Sequence, residues 1–172
     1  MLYAYFGYPA LLFLVAQLRR FQVSAAGSDL PTVTMVVAAW NEEAVIAEKI
    51  ENTLTQNYPP ERLSLIVVSD GSTDGTDSIV KRYAAETPRV RLLHTAGREG
   101  KSVALNIGVA GASGDVLVMT DANAIFEPDA VSRLVHPLSD SAVGAVSVHL
   151  SYRRGEGTEA TEGAYWRYEQ VV

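Results

Sequence analysis

The chain has 172 residues, 48% hydrophobic and 20% charged, which is enough to build the core of one ordinary domain and too apolar for a disordered tail. Its net charge of −6 supplies no basic field for nucleic acid, although a bound nucleotide needs only a few local donors. The lack of cysteine excludes disulfides, thiolate metal sites and cysteine nucleophiles, and three scattered histidines (His94, His136, His149) argue against a His-rich zinc cluster.

Residues 2–18 are almost wholly apolar and run directly into Arg19 and Arg20. That is just long enough to span a bilayer, whose lower limit is about 17 residues. Tyr3, Tyr5 and Tyr8 gather near one end as interfacial aromatics do, and the arginine pair marks the other end as cytoplasmic. Residues 1–20 therefore read as a transmembrane helix. A signal peptide would need a positive region on the opposite side, and a buried helix of a soluble domain is the plain alternative. Residues 21–31, rich in Ser, Ala, Gly and Asp before Pro31, read as a linker.

A folded domain is expected over residues 32–150. Thr32 to Ala39 is a β-branched apolar run, a first strand. Asn41 would cap the following helix, with Glu42 and Glu43 in its first turn and Ile46, Ile50, Leu54 and Tyr58 on its packed face. Leu63 to Ser69 is a second strand, ending on Asp70 and a turn of glycine and small hydroxyls. Asp74 would cap the next helix. A third strand covers 89–95, then a Gly97–Lys101 loop opens a helix that Gly111–Gly114 breaks. A fourth strand, 115–120, ends on Asp121; Pro128 opens a further helix, and 142–150 reads as a fifth strand. Strands alternating with amphipathic helices predict an α/β fold: a Rossmann-type, mostly parallel sheet with helices on both faces. Residues 151–172 read as the start of a further, incomplete region.

In open sheets of this kind ligands sit beyond the carboxyl ends of the strands. Asp70, Asp121 and the Ala39-Trp40-Asn41-Glu42 turn all fall there. A carboxylate can accept the imide N–H of uracil, and Trp40 can stack on a base. Asp121 and Asn123 can aim oxygens at one hard cation, which would stabilise a diphosphate leaving group. Lys101 can neutralise a phosphate. Each residue also has an ordinary explanation: turn chemistry for Asp70, a capping turn for Asp121-Ala122-Asn123, core packing for Trp40, a solvated helix start for Lys101, and the helix dipole for Glu42 and Glu43.

Together these stretches resemble family 2 glycosyltransferases of the GT-A fold. The resemblance rests on Val36 to Glu43, Gln56-Asn57-Tyr58-Pro59, Val67 to Thr76, Gly100-Lys101-Ser102-Val103-Ala104-Leu105-Asn106 and Asp121-Ala122-Asn123, in order across residues 32–150. It implies an inverting transferase of the membrane-associated bacterial type, in the inner membrane with its catalytic domain in the cytoplasm. Its donor would be a nucleotide-sugar, UDP-linked as the first expectation, and its acceptor a polysaccharide or lipid. Ala39, Trp40, Glu42, Asp70, Lys101, Asp121 and Ala122 would line the donor site, with Asp121 and Asn123 on Mg²⁺ or Mn²⁺. Ala38 stands where the family commonly has proline, and Asn123 replaces the second acid of the Asp-x-Asp motif. The family's catalytic base and its Gln-x-x-Arg-Trp motif would lie beyond Val172, so no catalytic residue is expected within the chain. The competing readings are a donor-binding fragment without transfer and a nucleotidyltransferase. The second would carry a glycine-rich phosphate loop where this chain has Ala39-Trp40-Asn41-Glu42.

Overall fold

In a computed structural model, residues 6–18 and 30–147 are described. The apolar runs form four strands, Val33–Ala39 (β1), Leu63–Ser69 (β2), Val90–His94 (β3) and Val116–Thr120 (β4). All pair in parallel, in the order β3-β2-β1-β4. β1 and β2 are buried along almost their whole length, because helices cover both faces; such strands read as continuous apolar runs rather than alternating ones. In register, Ala39 lies level with Ser69, and Val37 with Thr120. Three strands therefore finish together at one edge of the sheet. The chain adds β2 and β3 on one side of β1 and then crosses to place β4 on the other, so β1 is the topological switch point beside which such folds bind ligands.

The helices are Ile46–Leu54 (α2), Thr76–Glu86 (α3), Lys101–Gly111 (α4) and Ala130–Val135 (α5). On one face of the sheet Met35, Val37, Leu65 and Val67 pack with Ile46, Ile50, Val80, Val131 and Val135. On the other, Ile66 and Val68 meet Ala104 and Ile107 of α4. α4 lies so near β1 that a Cβ on Gly108 would come within 2.3 Å of Val36 Cγ1. At the opposite end of the sheet, Asp115 accepts hydrogen bonds from the Thr32 N–H (2.9 Å) and hydroxyl (2.7 Å). That pair ties the start of β4 to the start of β1 and, through the hydroxyl first, holds the Asp115 carboxyl below its ordinary pKa.

Two expectations need correction. α2 begins at Ile46 rather than after an Asn41 cap. Asn41 instead takes a left-handed φ of 55°, and Glu43 serves α3, accepting the Gly75 N–H at 2.7 Å. Residues 142–147 of the expected fifth strand form a turn and irregular chain. Among the described residues no strand pairs with them, and glycine within a strand, here Gly144, loses both side-chain packing and backbone entropy. The rest of that stretch, residues 148–150, lies outside the described residues.

The chain divides into two units, residues 25–146 and residues 1–24 with 147–172. In the second, Tyr8–Leu18 (α1) is a helix of 11 residues, and Phe6, Leu11, Phe13 and Leu14 are exposed along it and its first turn. Among the described residues no helix is long and apolar enough to cross a membrane. The remainder of the expected span, residues 21–29 of the expected linker and all of 151–172 lie outside the described residues.

Candidate functional site

The site is built where the turns after β1 and β2 are stitched together. Asn41 N–H donates to Ser72 Oγ (3.1 Å), Glu42 N–H to Thr76 Oγ1 (2.9 Å) and Glu43 N–H to Asp74 Oδ2 (3.1 Å). In return Asn41 Oδ1 accepts the Thr73 N–H at 2.8 Å. Short polar side chains here do what a ladder would do inside the sheet: they satisfy backbone groups at a place where no strand continues. Asp74 also accepts the Thr76 hydroxyl (2.6 Å) and N–H (3.0 Å) at the start of α3, and the hydroxyl bond is the main reason its carboxyl is held below the ordinary pKa.

Asp70 follows β2 directly and is 5% exposed. Its Oδ1 accepts the Glu99 N–H (2.8 Å) and the Thr95 hydroxyl (3.1 Å), and its Oδ2 accepts the Gly100 N–H (2.9 Å). The backbone bond from Glu99 is the first cause of a lowered carboxyl pKa. A carboxylate oxygen has two acceptor positions, so Oδ2 keeps one open. Gly71, next in the chain, has φ +69°, and a Cβ there would lie 3.0 Å from Arg98 N and from Gly97 C. Asp70 and Gly71 thus draw the 97–100 loop onto the tip of β2 and deliver Gly100, with φ +95°, as the entry to α4.

Lys101, the first residue of α4, reaches across to Asp121 after β4, with Nζ 2.5 Å from Oδ1. Both side chains are largely in solvent, 61% and 59% exposed. Trp40 is 42% exposed and has the Arg98 guanidinium 3.6 Å from its ring centroid, a cation–π stack. Between these groups lies an open cavity of about 360 Å³. Every residue the sequence singled out lines it: Ala39, Trp40 and Glu42 from the β1 tip, Asp70 from β2, Lys101 from α4, and Asp121, Ala122 and Asn123 from β4. Sequence reasoning missed Ala38, Arg98 and Gly100 in the same wall. Arg98 had a signal, a lone base in a glycine-flanked loop, but its stacking depends on a tertiary approach that no spacing reveals.

Also missed was Lys49, on the inward face of α2 and fully buried. Its Nζ donates to Ala124 O (2.6 Å) and Thr120 Oγ1 (3.2 Å) and lies 4.2 Å from the centre of the Phe126 ring. Burial pushes its pKa down to about 8, against the raising effect of the Asp121 charge. One turn along α2, the Asn52 amide exchanges two bonds with the Phe126 backbone, at 2.8 and 2.9 Å.

With this geometry in place, comparison with known proteins gives a consistent result. The chain matches the family model described as Glycosyl transferase family 2 over residues 34–170. The chain belongs to that family, whose members here share the GT-A fold. It is 32% identical over 152 residues to the beta-monoglucosyldiacylglycerol synthase of Synechocystis sp., covering 83% of this chain and 32% of that protein. It is 39% identical over 123 residues to the probable glycosyltransferase YdaM of Bacillus subtilis, covering 69% and 29%. Among solved structures, the mannosyltransferase PcManGT from Pyrobaculum calidifontis, in complex with GDP-Man and Mn²⁺, is similar with a TM-score of 0.67 and 34% identity over 83% of this chain and 42% of that one. The chain therefore spans about a third of the length of these curated relatives.

The Mn²⁺ in the PcManGT complex raises the question of which groups of this chain could hold such an ion. Among the described residues no three His, Cys, Asp or Glu side chains cluster as a metal cage. Magnesium-type sites, however, are commonly made by one or two protein oxygens together with substrate phosphates and water. Asp121 and Asn123 offer hard oxygens at the cavity, and Asp121 already holds a cation, the Lys101 ammonium. The donor set fits a metal shared with a diphosphate.

Proposed function

We propose that this chain carries the donor half of an inverting glycosyltransferase, which binds a nucleoside diphosphate-sugar at the tips of β1, β2 and β4 and presents the sugar to a saccharide or lipid acceptor. The observation behind this reading is the convergence of Trp40, Asp70, Lys101 and Asp121 on one open cavity at the switch point of a parallel sheet. The open position on Asp70 Oδ2 suits the ring N–H of uracil or guanine, with Trp40 beside it for stacking. Lys101 would leave Asp121 for a phosphate oxygen when the donor arrives, freeing the carboxylate. Bound by Asp121 and Asn123, Mg²⁺ or Mn²⁺ supplies positive charge that stabilises the diphosphate as leaving group.

In the transfer, the acceptor hydroxyl oxygen forms a bond to the anomeric carbon on the face opposite the diphosphate. The bond from that carbon to the phosphate oxygen breaks, and the nucleoside diphosphate departs. The hydroxyl proton passes to a carboxylate base, which this reading places beyond Val172. The apolar α1 is assigned to membrane attachment, supported by its exposed Phe6, Leu11, Phe13 and Leu14. Calorimetric titration of the full chain with UDP and GDP, each with and without Mn²⁺, tests the reading. Metal-enhanced binding of one nucleotide is expected, together with weak or no turnover of its sugar conjugate by the chain alone. No binding of either nucleotide overturns the donor site; brisk transfer by the chain alone overturns the placing of the base.

A further inference from the structure

We infer that Lys49 is a positioning residue for the donor's diphosphate, holding the Asp121–Asn123 turn in place from beneath the sheet edge. The inference rests on the donor-site reading above. The geometry is a clamp: Thr120 and Ala124, the two acceptors of the ammonium, flank the turn on either side. A single buried cation thus fixes both ends of the segment that carries the two candidate oxygens. The Phe126 ring closes the remaining side, so the three donor directions of the ammonium face two oxygens and a π surface.

Stability alone does not explain a lysine here. It is fully buried, and among the described residues its ammonium forms no ion pair. Burying such a charge is unfavourable, and well-packed apolar replacements of buried ions are commonly neutral or stabilising. The neighbouring part of the segment is already held without charge, by the Asn52 amide on the Phe126 backbone. What a lysine adds over an apolar residue at position 49 is a fixed positive charge under Asp121, whose field it feels. Asp121 thus interacts with two ammonium groups of different kinds. Lys101 is solvated and free to follow a phosphate. Lys49 cannot leave, so the aim of Asp121 survives the departure of Lys101.

The test is a double-mutant cycle on the full chain, with Lys49→Met, Asp121→Ala and the pair, titrated with UDP and GDP in Mn²⁺ and in EDTA, and with folding followed by circular dichroism and thermal unfolding. Methionine keeps the volume of the lysine stem, so the variant is expected to fold. In Mn²⁺, Lys49→Met should weaken nucleotide binding about tenfold, and binding in EDTA should change by less than about twofold. In the Asp121→Ala background the same substitution should have no further effect, since contacting groups that act as a unit are not additive. Asn52→Ala, a structural control, should lower the melting temperature and leave metal-dependent binding unchanged. Should the methionine variant not fold, Thr120→Val, which removes one acceptor of the clamp, carries the same expectation. Unchanged binding by the variant, an equal loss in both backgrounds, or an equal loss with and without Mn²⁺ overturns the inference. If the unsubstituted chain binds neither nucleotide, the donor-site reading fails first and takes this inference with it.

Discussion

β2 and β4 both end in an aspartate, and the two acids live in opposite circumstances. Asp70 is buried, and it accepts two backbone N–H groups and a hydroxyl from the 95–100 segment. Asp121 is more than half exposed, and its partner is a mobile-stemmed lysine that is equally exposed. One carboxylate holds the architecture of the site and keeps a single acceptor position open; the other is held by a solvated ion pair, of a kind worth roughly 0–1 kcal/mol. Equivalent places in a parallel sheet thus differ: the acid after β2 is built into the cavity wall, and the acid after β4 presents an exposed, ion-paired charge.

If that contrast is right, acid should act first and most on the β2 side and on the latch at the far end of the sheet. The carboxyls of Asp70, Asp74 and Asp115 are all held below their ordinary value. Their stabilising contribution is complete above the unfolded aspartate pKa of about 3.9 and is lost as the pH falls below it toward the folded values. Thermal unfolding followed by calorimetry should therefore be nearly flat between about pH 5 and pH 7 and fall steeply below about pH 4; a flat profile down to pH 3 would contradict the bonding described. Next in size is Asp70→Ala, which takes the carboxylate acceptor from the Glu99 and Gly100 N–H groups: melting temperature should drop, and nucleotide affinity should fall by about a hundredfold. A variant that melts like the parent would remove Asp70 from its architectural role. Gly71→Ala puts a side chain at φ +69° against the 97–98 backbone and should lose about 1–2 kcal/mol in denaturant unfolding, with affinity falling only as the loop shifts. Asp121→Ala sharpens the contrast from the other side. Metal-dependent nucleotide affinity should fall about tenfold, with the melting temperature within about 2 °C of the parent. A large loss of stability there would erase the distinction between the two acids.

Much of this was readable before any coordinates. The apolar run into Asp70 and its turn could only be a buried strand ending at a loop, and the parallel pairing then follows from alternation with helices. What was hidden had specific causes. Asn41 carries the mark of a helix cap, but asparagine also tolerates the left-handed region, and the Thr73 N–H that selects this conformation comes from a turn 32 residues away. Lys49 was passed over because periodicity sorts lysine to the outer face, while its long stem can lie in a core if acceptors wait at the end. Residues 142–147 looked like a strand by composition alone, and a strand exists only beside a partner.

The cavity is lined entirely by residues between Ala38 and Asn123, one unbroken stretch that holds the end of β1 and all of β2, β3 and β4. Because domains generally fold from the amino end during synthesis, every wall of this pocket is synthesised before any later segment is made. On the proposed donor-site reading, a sugar nucleotide would stabilise this stretch by mass action from the moment it has folded.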